Sequence, residues 1–336
     1  MRLASYNVEW FDSLFDNKGR PLIDDEPGGR HRITRGDQLE ALGHVFRRID
    51  ADAIMVIEAP DTNRRRSTTR ALANFAEAAG LRTRDVVTGF ANNTQQEIAL
   101  LYDADKLRVR HDPRDDEAAP RFDMEFGIDL DIDARADIVN FSKPPLELAV
   151  ETLSGRKLRM IGAHLKSKAP HGAKGRDAIM KLAIANRRKQ LAQAVWLRRR
   201  IVAHLHAGED LILMGDLNDG PGLDSYEGLF GRSSVEILLG NGDDAEMLLY
   251  DPHAAEALQR RIGAQPTTAR FYIHSEKRYL QALLDYVMIS SRLRDCAPSW
   301  RIWHPFDDAE CWQDEALRGA LLVASDHFPV TLDVDL

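Results

Sequence analysis

The chain has 336 residues, with 45 Lys and Arg against 53 Asp and Glu, a formal charge of −8. Ten acids against three arginines in the window 112–137 contribute −7, so the rest stands at −1, which excludes a chain-wide basic coat for gripping nucleic acid but allows a small basic groove. At 44% hydrophobic and 29% charged residues the chain can bury a sizeable core, and no apolar run reaches the ~20 residues of a membrane helix.

The two cysteines, Cys296 and Cys311, make neither a disulfide framework nor a zinc site. The first residues run straight into a strand-like pattern without an apolar leader region, so a cytoplasmic chain is the expectation. Residues 3–8 read as a strand, and 12–32 as a long loop punctuated by Gly and Pro. Leu39, Leu42, Val45, Phe46 and Ile49 recur at helical spacing, with Thr34 or Asp37 as the cap. A buried strand at 53–57 ends at Glu58, a helix at 68–79 is closed by Gly80, and 98–102 is another buried strand.

From 126 to 138 apolar and mostly acidic residues alternate, the pattern of one half-buried edge strand with an acidic outer face. Strands at 146–153 and 157–164 follow, joined by Ser154-Gly155. The stretch 177–205 reads as the longest helix, with Leu191, Ala194, Ile201 and Leu205 inward and the groups Arg187-Arg188-Lys189 and Arg198-Arg199-Arg200 mostly outward. Strands at 211–214, 283–289 and 330–334 complete the pattern, which fits an α/β sandwich better than a simple doubly wound sheet.

Polar residues close these strands. They are Asn7 and Glu9, Glu58, His164, Asp216 and Asn218 in Gly-Asp-Leu-Asn, Asp285 among Leu283, Leu284 and Val287, and Asp326-His327 before Phe-Pro-Val. Singly, each has an ordinary reading as turn or surface chemistry. Asp285 does not, because a carboxylate in an apolar run is costly unless paired or metal-bound. Together they suggest acids, amides and histidines gathered on one rim, an oxygen-rich set suited to magnesium or manganese.

The order and spacing of this set, from Asn7 to Val330, resemble the endonuclease/exonuclease/phosphatase superfamily; Gly-Asp-Leu-Asn and Ser-Asp-His-Phe-Pro-Val are the most specific parts. The resemblance implies an α/β fold, a four-layer sandwich of two packed mixed β-sheets flanked by helices. It implies one catalytic domain over 1–336, with an acidic insertion at about 112–137, and phosphoester hydrolysis with Mg2+, for which Mn2+ can substitute. It assigns Asn7 and Glu58 to the main metal site, Glu9 to an additional acidic ligand and Asp326 to a metal-side carboxylate. Asp216 and Asn218 would orient water and phosphate, His327 would be the catalytic histidine, and Asp285 its orienting partner. His164 would be a second phosphate-facing histidine, oriented by Glu97 or, one position away, Gln96. Where the family often places an arginine before a proline, this chain has Lys143, a point charge without the bidentate fork. Either His327 or Asp216 would be the general base.

Three classes of function compete. A nuclease acting on DNA or RNA is favoured by His164, by Arg64-Arg65-Arg66 after Glu58, and by Lys166 and Lys168 after His164, since such loops can follow a phosphate backbone. A phosphodiesterase or phosphatase for a lipid head group or small phosphoester is the alternative, though neither an amphipathic membrane segment nor an exposed aromatic hairpin stands out. A non-catalytic binding module would be expected to have lost some of these residues. The late cluster Trp300, Trp303, Phe306 and Trp312 reads as core packing or a rim wall, with base stacking as a further use. The run Asp129, Asp131, Asp133 lacks the glycine and glutamate of a calcium loop.

Overall fold

A computed structural model describes residues 1–128, 137–170, 172–220, 230–259, 265–273 and 277–336. Two mixed six-stranded sheets pack face to face. The first has the order β15 (Ser299–Ile302), β16 (Val330–Asp333), β1 (Arg2–Asn7), β2 (Ala53–Ala59), β4 (Glu97–Tyr102) and β3 (Asp85–Thr88). The second runs β11 (Leu249–Tyr250), β14 (Asp285–Ser290), β10 (Leu211–Asp216), β9 (Lys157–His164), β8 (Leu146–Thr152) and β5 (Leu107–His111). Among the described residues only β1–β2 and β9–β10 are parallel pairs.

Strand parity sorts the core into three layers. Leu3, Met55, Leu148, Met160, Ile212, Val287 and Leu332 fill the space between the sheets. Tyr6, Ile54 and Val56 face outward from the first sheet onto α1 (Arg35–Ile49), α2 (Thr68–Ala78) and the helix Glu315–Ala324. Ile161, Leu213 and Tyr286 face outward from the second onto α3 (Arg176–His206). This is the expected helix–sheet–sheet–helix sandwich. Gly162 lets the sheets approach: a Cβ there would lie 2.4 Å from Met55 Sδ, on the opposing sheet. Thr34 caps α1, its Oγ1 accepting the Asp37 N–H at 3.1 Å.

Two expectations need correction. The alternating stretch 126–138 is not one strand, because β6 (Glu125–Ile128) and β7 (Asp137–Asn140) pair antiparallel with each other. They form a separate two-stranded sheet, not an edge of either large one. Reversal of the chain changes the parity, so Ile128 and Val139 are buried while Ile138 is 73% exposed. Asp129, Asp131 and Asp133 lie outside the described residues. The second correction concerns α3, where Arg187, Arg198 and Arg200 are buried instead of outward. Each reaches past the helix to hold a neighbouring segment. Arg200 donates to the carbonyls of Arg114 and Ala119, Arg198 to that of Leu238, and Arg187 lies 3.5 Å from Asp219.

Candidate active site

Parity also aims the site. Asn7 shares the inner face of β1 with Leu3, and His164 that of β9 with Met160. Asp216 shares that of β10 with Ile212 and Met214. Asp285 shares the inner face of β14 with Val287 and Ile289. In the second sheet Asp216 is the register partner of both His164 and Asp285, so the three stand side by side on adjacent strands. Gly215 precedes Asp216 at φ 138, and a Cβ there would fall 2.0 Å from the Ala163 carbonyl oxygen, so only glycine fits.

Glu58 breaks the parity. Alternation would put it with Ile54 and Val56 on the helix-facing side. A β-bulge between Ile57 and Ala59, with Glu58 at φ 62, turns its side chain to the rim between the sheets. Its Oε2 accepts the Trp10 N–H at 3.0 Å and the Gln96 amide at 2.6 Å, while Oε1 lies 3.9 Å from His164 Nε2.

Asp216 Oδ2 is the hub. It accepts from Asn7 Nδ2 at 3.0 Å and Asn218 Nδ2 at 3.2 Å, and lies 3.5 Å from His164 Nε2 and 4.0 Å from His327 Nε2. Burial pushes the Asp216 carboxyl up to about 7, with His327 pulling it down and Asp285 adding to the rise. Asp285 Oδ2 and His327 Nδ1 are bonded at 2.7 Å. Burial opposes charge on His327, but Asp285, with Asp216 and Asp326, outweighs it and raises the ring well above its ordinary value. His327 Nε2 has no hydrogen bond among the described residues and lies 4.0 Å from Asp326 Oδ1. His164 is driven the other way, well below its ordinary value, by burial and then by Lys143 and His327. Their surroundings thus drive the two rings in opposite directions.

The remaining candidates divide. Lys143 reaches the site: its Nζ is 3.2 Å from both ring nitrogens of His164, and burial lowers its pKa. Glu97 does not reach His164. Its carboxylate accepts from Asn92 at 2.7 Å and from the Thr62 N–H, and burial pushes it up to about 7. The competing Gln96 binds Glu58, so Lys143, not either of these two, is the side chain against His164. Lys168 is paired with Asp219, and Arg66 with Asp12 and Asp61, which removes two charges from the supposed basic loops. Lys166 stays half-exposed beside the site-bearing strand.

Arg30 was not visible as a site residue. It comes from the long loop and places Nη1 2.5 Å from Glu9 Oε2 and 3.9 Å from Asp326 Oδ1. Burial, then Asp326, pushes Glu9 up to about 7 against this guanidinium. Nothing in the residue pattern marks Arg30, because only the return of the loop brings it to the rim.

The donors on this rim fit a hard divalent cation. Asn7, Glu58, Asp326, Glu9 and Asp216 offer oxygen only, and the raised values of Glu9 and Asp216 reflect carboxylates crowded in a desolvated place. Asp216, Asp285 and His327 also bring three ligand atoms within 4.8 Å of one another. The 2.7 Å Asp285–His327 bond makes that trio a hydrogen-bonded dyad facing an acid, with the open oxygens of Glu58 and Asp326 nearby.

Two facing sheets whose rim carries such a set define the class of phosphoester-hydrolase sandwiches. Residues 4–327 match the model of the Endonuclease/Exonuclease/phosphatase family, and the chain belongs to it. Its members are hydrolases acting on phosphoester bonds and are generally dependent on divalent metal. Solved structures with this fold include truncated TDP2 from Caenorhabditis elegans (14% identity, TM-score 0.51, covering 100% of this chain and 97% of that one). The mannosyl-6-phosphatase Bt3783 of Bacteroides thetaiotaomicron matches at 14% identity and TM-score 0.50, with 100% of both chains covered. The 3′ phosphatase NExo from Neisseria, solved with a product DNA hairpin, gives the same values. Compared by sequence with curated proteins, the chain matches none. No helix among the described residues is long and apolar enough to cross a membrane.

Proposed function

We propose that this chain is a Mg2+- or Mn2+-dependent phosphodiesterase that cleaves nucleic acid. The observation that carries the reading is the convergence of His164 and His327 on Asp216 Oδ2, at 3.5 and 4.0 Å, beside the oxygen donors of Asn7 and Glu58. Asn7, Glu58 and Asp326 would hold the metal, with Glu9 held beside Asp326 by Arg30. When bound, the cation supplies Lewis-acid neutralisation of the phosphate and of the leaving oxygen.

The protein's own groups do the rest. Asp216 Oδ2, oriented by the amides of Asn7 and Asn218, accepts a proton from the attacking water; a carboxyl near pH 7 is matched to that task. The His327 imidazolium, held by Asp285, presents Nε2–H to a phosphate oxygen as charge gathers there. Lys143 and neutral His164 face the same anion from the other side. That leaves the base role with Asp216 and an electrostatic and acid role with His327.

A second reading, a phosphatase for small phosphoesters, is favoured by the pairing of Lys168 with Asp219 and of Arg66 with Asp61, which shortens any basic track. Bt3783 and NExo, both phosphatases, share the fold. One panel separates the readings: single- and double-stranded DNA, RNA, sugar phosphates, phosphoinositides and a generic diester, each with and without Mg2+ or Mn2+. Metal-dependent cleavage of an internal phosphodiester is expected. Release of phosphate from monoesters with no strand cleavage would overturn it.

A further inference from the structure

The most unusual surface of the molecule adjoins the site. The hairpin of β12 (Ala269–Ile273) and β13 (Arg278–Ala282) belongs to neither large sheet. It is attached to both segments that carry the dyad. Arg270 N–H donates to the Asp326 carbonyl at 2.7 Å, Phe328 N–H to that of Thr268 at 2.6 Å, and Asp285 N–H to Thr268 Oγ1 at 2.9 Å. Ala269 bridges His327 directly. Ala269, Ala282 and Leu284, with Phe271 packed against them, form a small core beneath the hairpin. By the two-residue period, Arg270, Tyr272 and Tyr279 share the opposite face.

That face continues into a row of rings and guanidinium groups. Tyr272 and Tyr279 lie 5.2 Å apart, and Arg270 stacks 3.6 Å from the Tyr279 centroid. Arg270 is also 5.4 Å from Phe306, whose ring is 6.2 Å from Trp312, and Arg318 covers Trp312 at 4.8 Å. The four rings remain exposed at 43% for Tyr272, 52% for Tyr279, 38% for Phe306 and 53% for Trp312. Arg318 is engaged with Glu315 at 3.4 Å; Arg270 forms no ion pair among the described residues. His304, 5.9 Å from Phe306 and 4.8 Å from Phe328, joins the row to the catalytic strand.

We infer that this row is a stacking platform for the bases of a single-stranded nucleic acid whose scissile phosphate lies at His327. Alternating rings and cations serve an unpaired strand well: each base offers a π-face, and guanidinium groups stacked on the rings meet the anionic backbone. The exposed aromatic hairpin, which the residue pattern did not show, is a form that a lipid surface also takes; rings interleaved with guanidinium groups favour the strand. The inference rests on the nuclease reading and adds to it a substrate form: unpaired strand, without strong sequence preference.

The test uses the full chain with Mg2+. The variants are Tyr279→Ala, Trp312→Ala and their combination, with Tyr279→Phe and Trp312→Phe as ring-preserving counterparts. The quantity measured is kcat/KM on a single-stranded oligonucleotide divided by kcat/KM on a small aryl phosphodiester. Each alanine variant is expected to lower that ratio about 10-fold, through KM, and each phenylalanine variant to restore most of it. Anisotropy of a labelled oligonucleotide on the same proteins with Ca2+ in place of Mg2+ reads binding apart from turnover. Cleavage with an unchanged ratio in the double variant would overturn the platform while leaving the nuclease reading intact. Ring-dependent binding without cleavage would do the reverse. Binding to anionic vesicles but not to oligonucleotide would reject both.

Discussion

Two buried histidines, each set against carboxylates, show what distinguishes a structural cluster from a reactive one in this fold. His204, near the end of α3, has both ring nitrogens bonded, Nδ1 to Glu209 at 2.6 Å and Nε2 to Glu147 at 2.7 Å. Arg159 and Arg114 close the group from the Glu209 side, and Glu147 accepts the Arg114 N–H. His327 is also buried, though less completely, and has only Nδ1 bonded, to Asp285; Nε2 faces Asp216 and Asp326 at 4.0 Å each. Asp285 Oδ1 is itself buried without a partner. The first cluster has both ring nitrogens occupied by carboxylates, so it holds the 112–117 segment, β8 and α3 together. The second leaves a nitrogen and a carboxylate open toward one small space, which is the condition for moving a proton.

The sharpest way to break this contrast is mutational. His327→Ala and Asp216→Ala are each expected to lower turnover at least roughly 100-fold, with the fold retained by circular dichroism. Near wild-type turnover in either would remove that residue from the chemistry. Glu147→Gln should act in the opposite sense. It should cost about 3 kcal/mol in denaturant unfolding, since it breaks a buried ion pair, and leave turnover per folded molecule unchanged. A variant that kept stability but lost activity would collapse the distinction.

Metal addresses the reactive rim alone. Saturating Mg2+ at about 100 Kd should stabilise the wild type by about 2.7 kcal/mol in a melting series. Glu58→Gln should abolish most of that gain, whereas Glu147→Gln should keep it. An unaltered Mg2+ response in Glu58→Gln would move the metal elsewhere.

The smallest expected effect is the pH dependence of the metal-free protein. Glu9, Glu97 and Asp216 are pushed up to about 7 and Asp251 to about 6, burial being the first cause in each. The native state therefore keeps protons that the unfolded chain releases near pH 4, and stability declines as pH climbs from about 4 to 7. His327, raised by Asp285 against burial, has the same sign: its contribution is full below about pH 6.5 and is lost as pH rises through its native value. His164 and His253, held below their ordinary values by burial, act oppositely up to about pH 6.5, so the fall is expected above it: a melting temperature lower by a few degrees at pH 8 than at pH 6.5, with the gap narrowed by Mg2+. A melting temperature that rises between pH 6.5 and 8 would contradict these assignments.

How much of the site could be read from residues alone follows from strand parity. Asn7, His164, Asp216 and Asp285 each continue an apolar alternation whose inner members were legible, so their shared face was implicit in the chain. Glu58 was legible as a strand end, but alternation gave it the wrong face; the bulge corrected it. Glu97 was misplaced for a related reason, since its burial beside Asn92 depends on how the 92–97 loop folds. The arginines of α3 looked outward because charge usually marks the solvent face, and nothing local shows that loop carbonyls will cap them.

The −8 charge makes the same division. Asp112 bonds Arg159, Asp116 lies 3.5 Å from Arg200, and Asp123 pairs with Arg121, so these acids of the window serve local packing away from the rim. By itself the sequence determined the strand-end chemistry and the sandwich class, because two-residue periodicity and buried apolar runs are local properties of the chain. Only the tertiary structure decided which nitrogen stays open, which lysine meets His164, where Arg30 returns and which aromatics remain exposed. Those outcomes depend on contacts between segments far apart in sequence, and no local pattern encodes the distance between them.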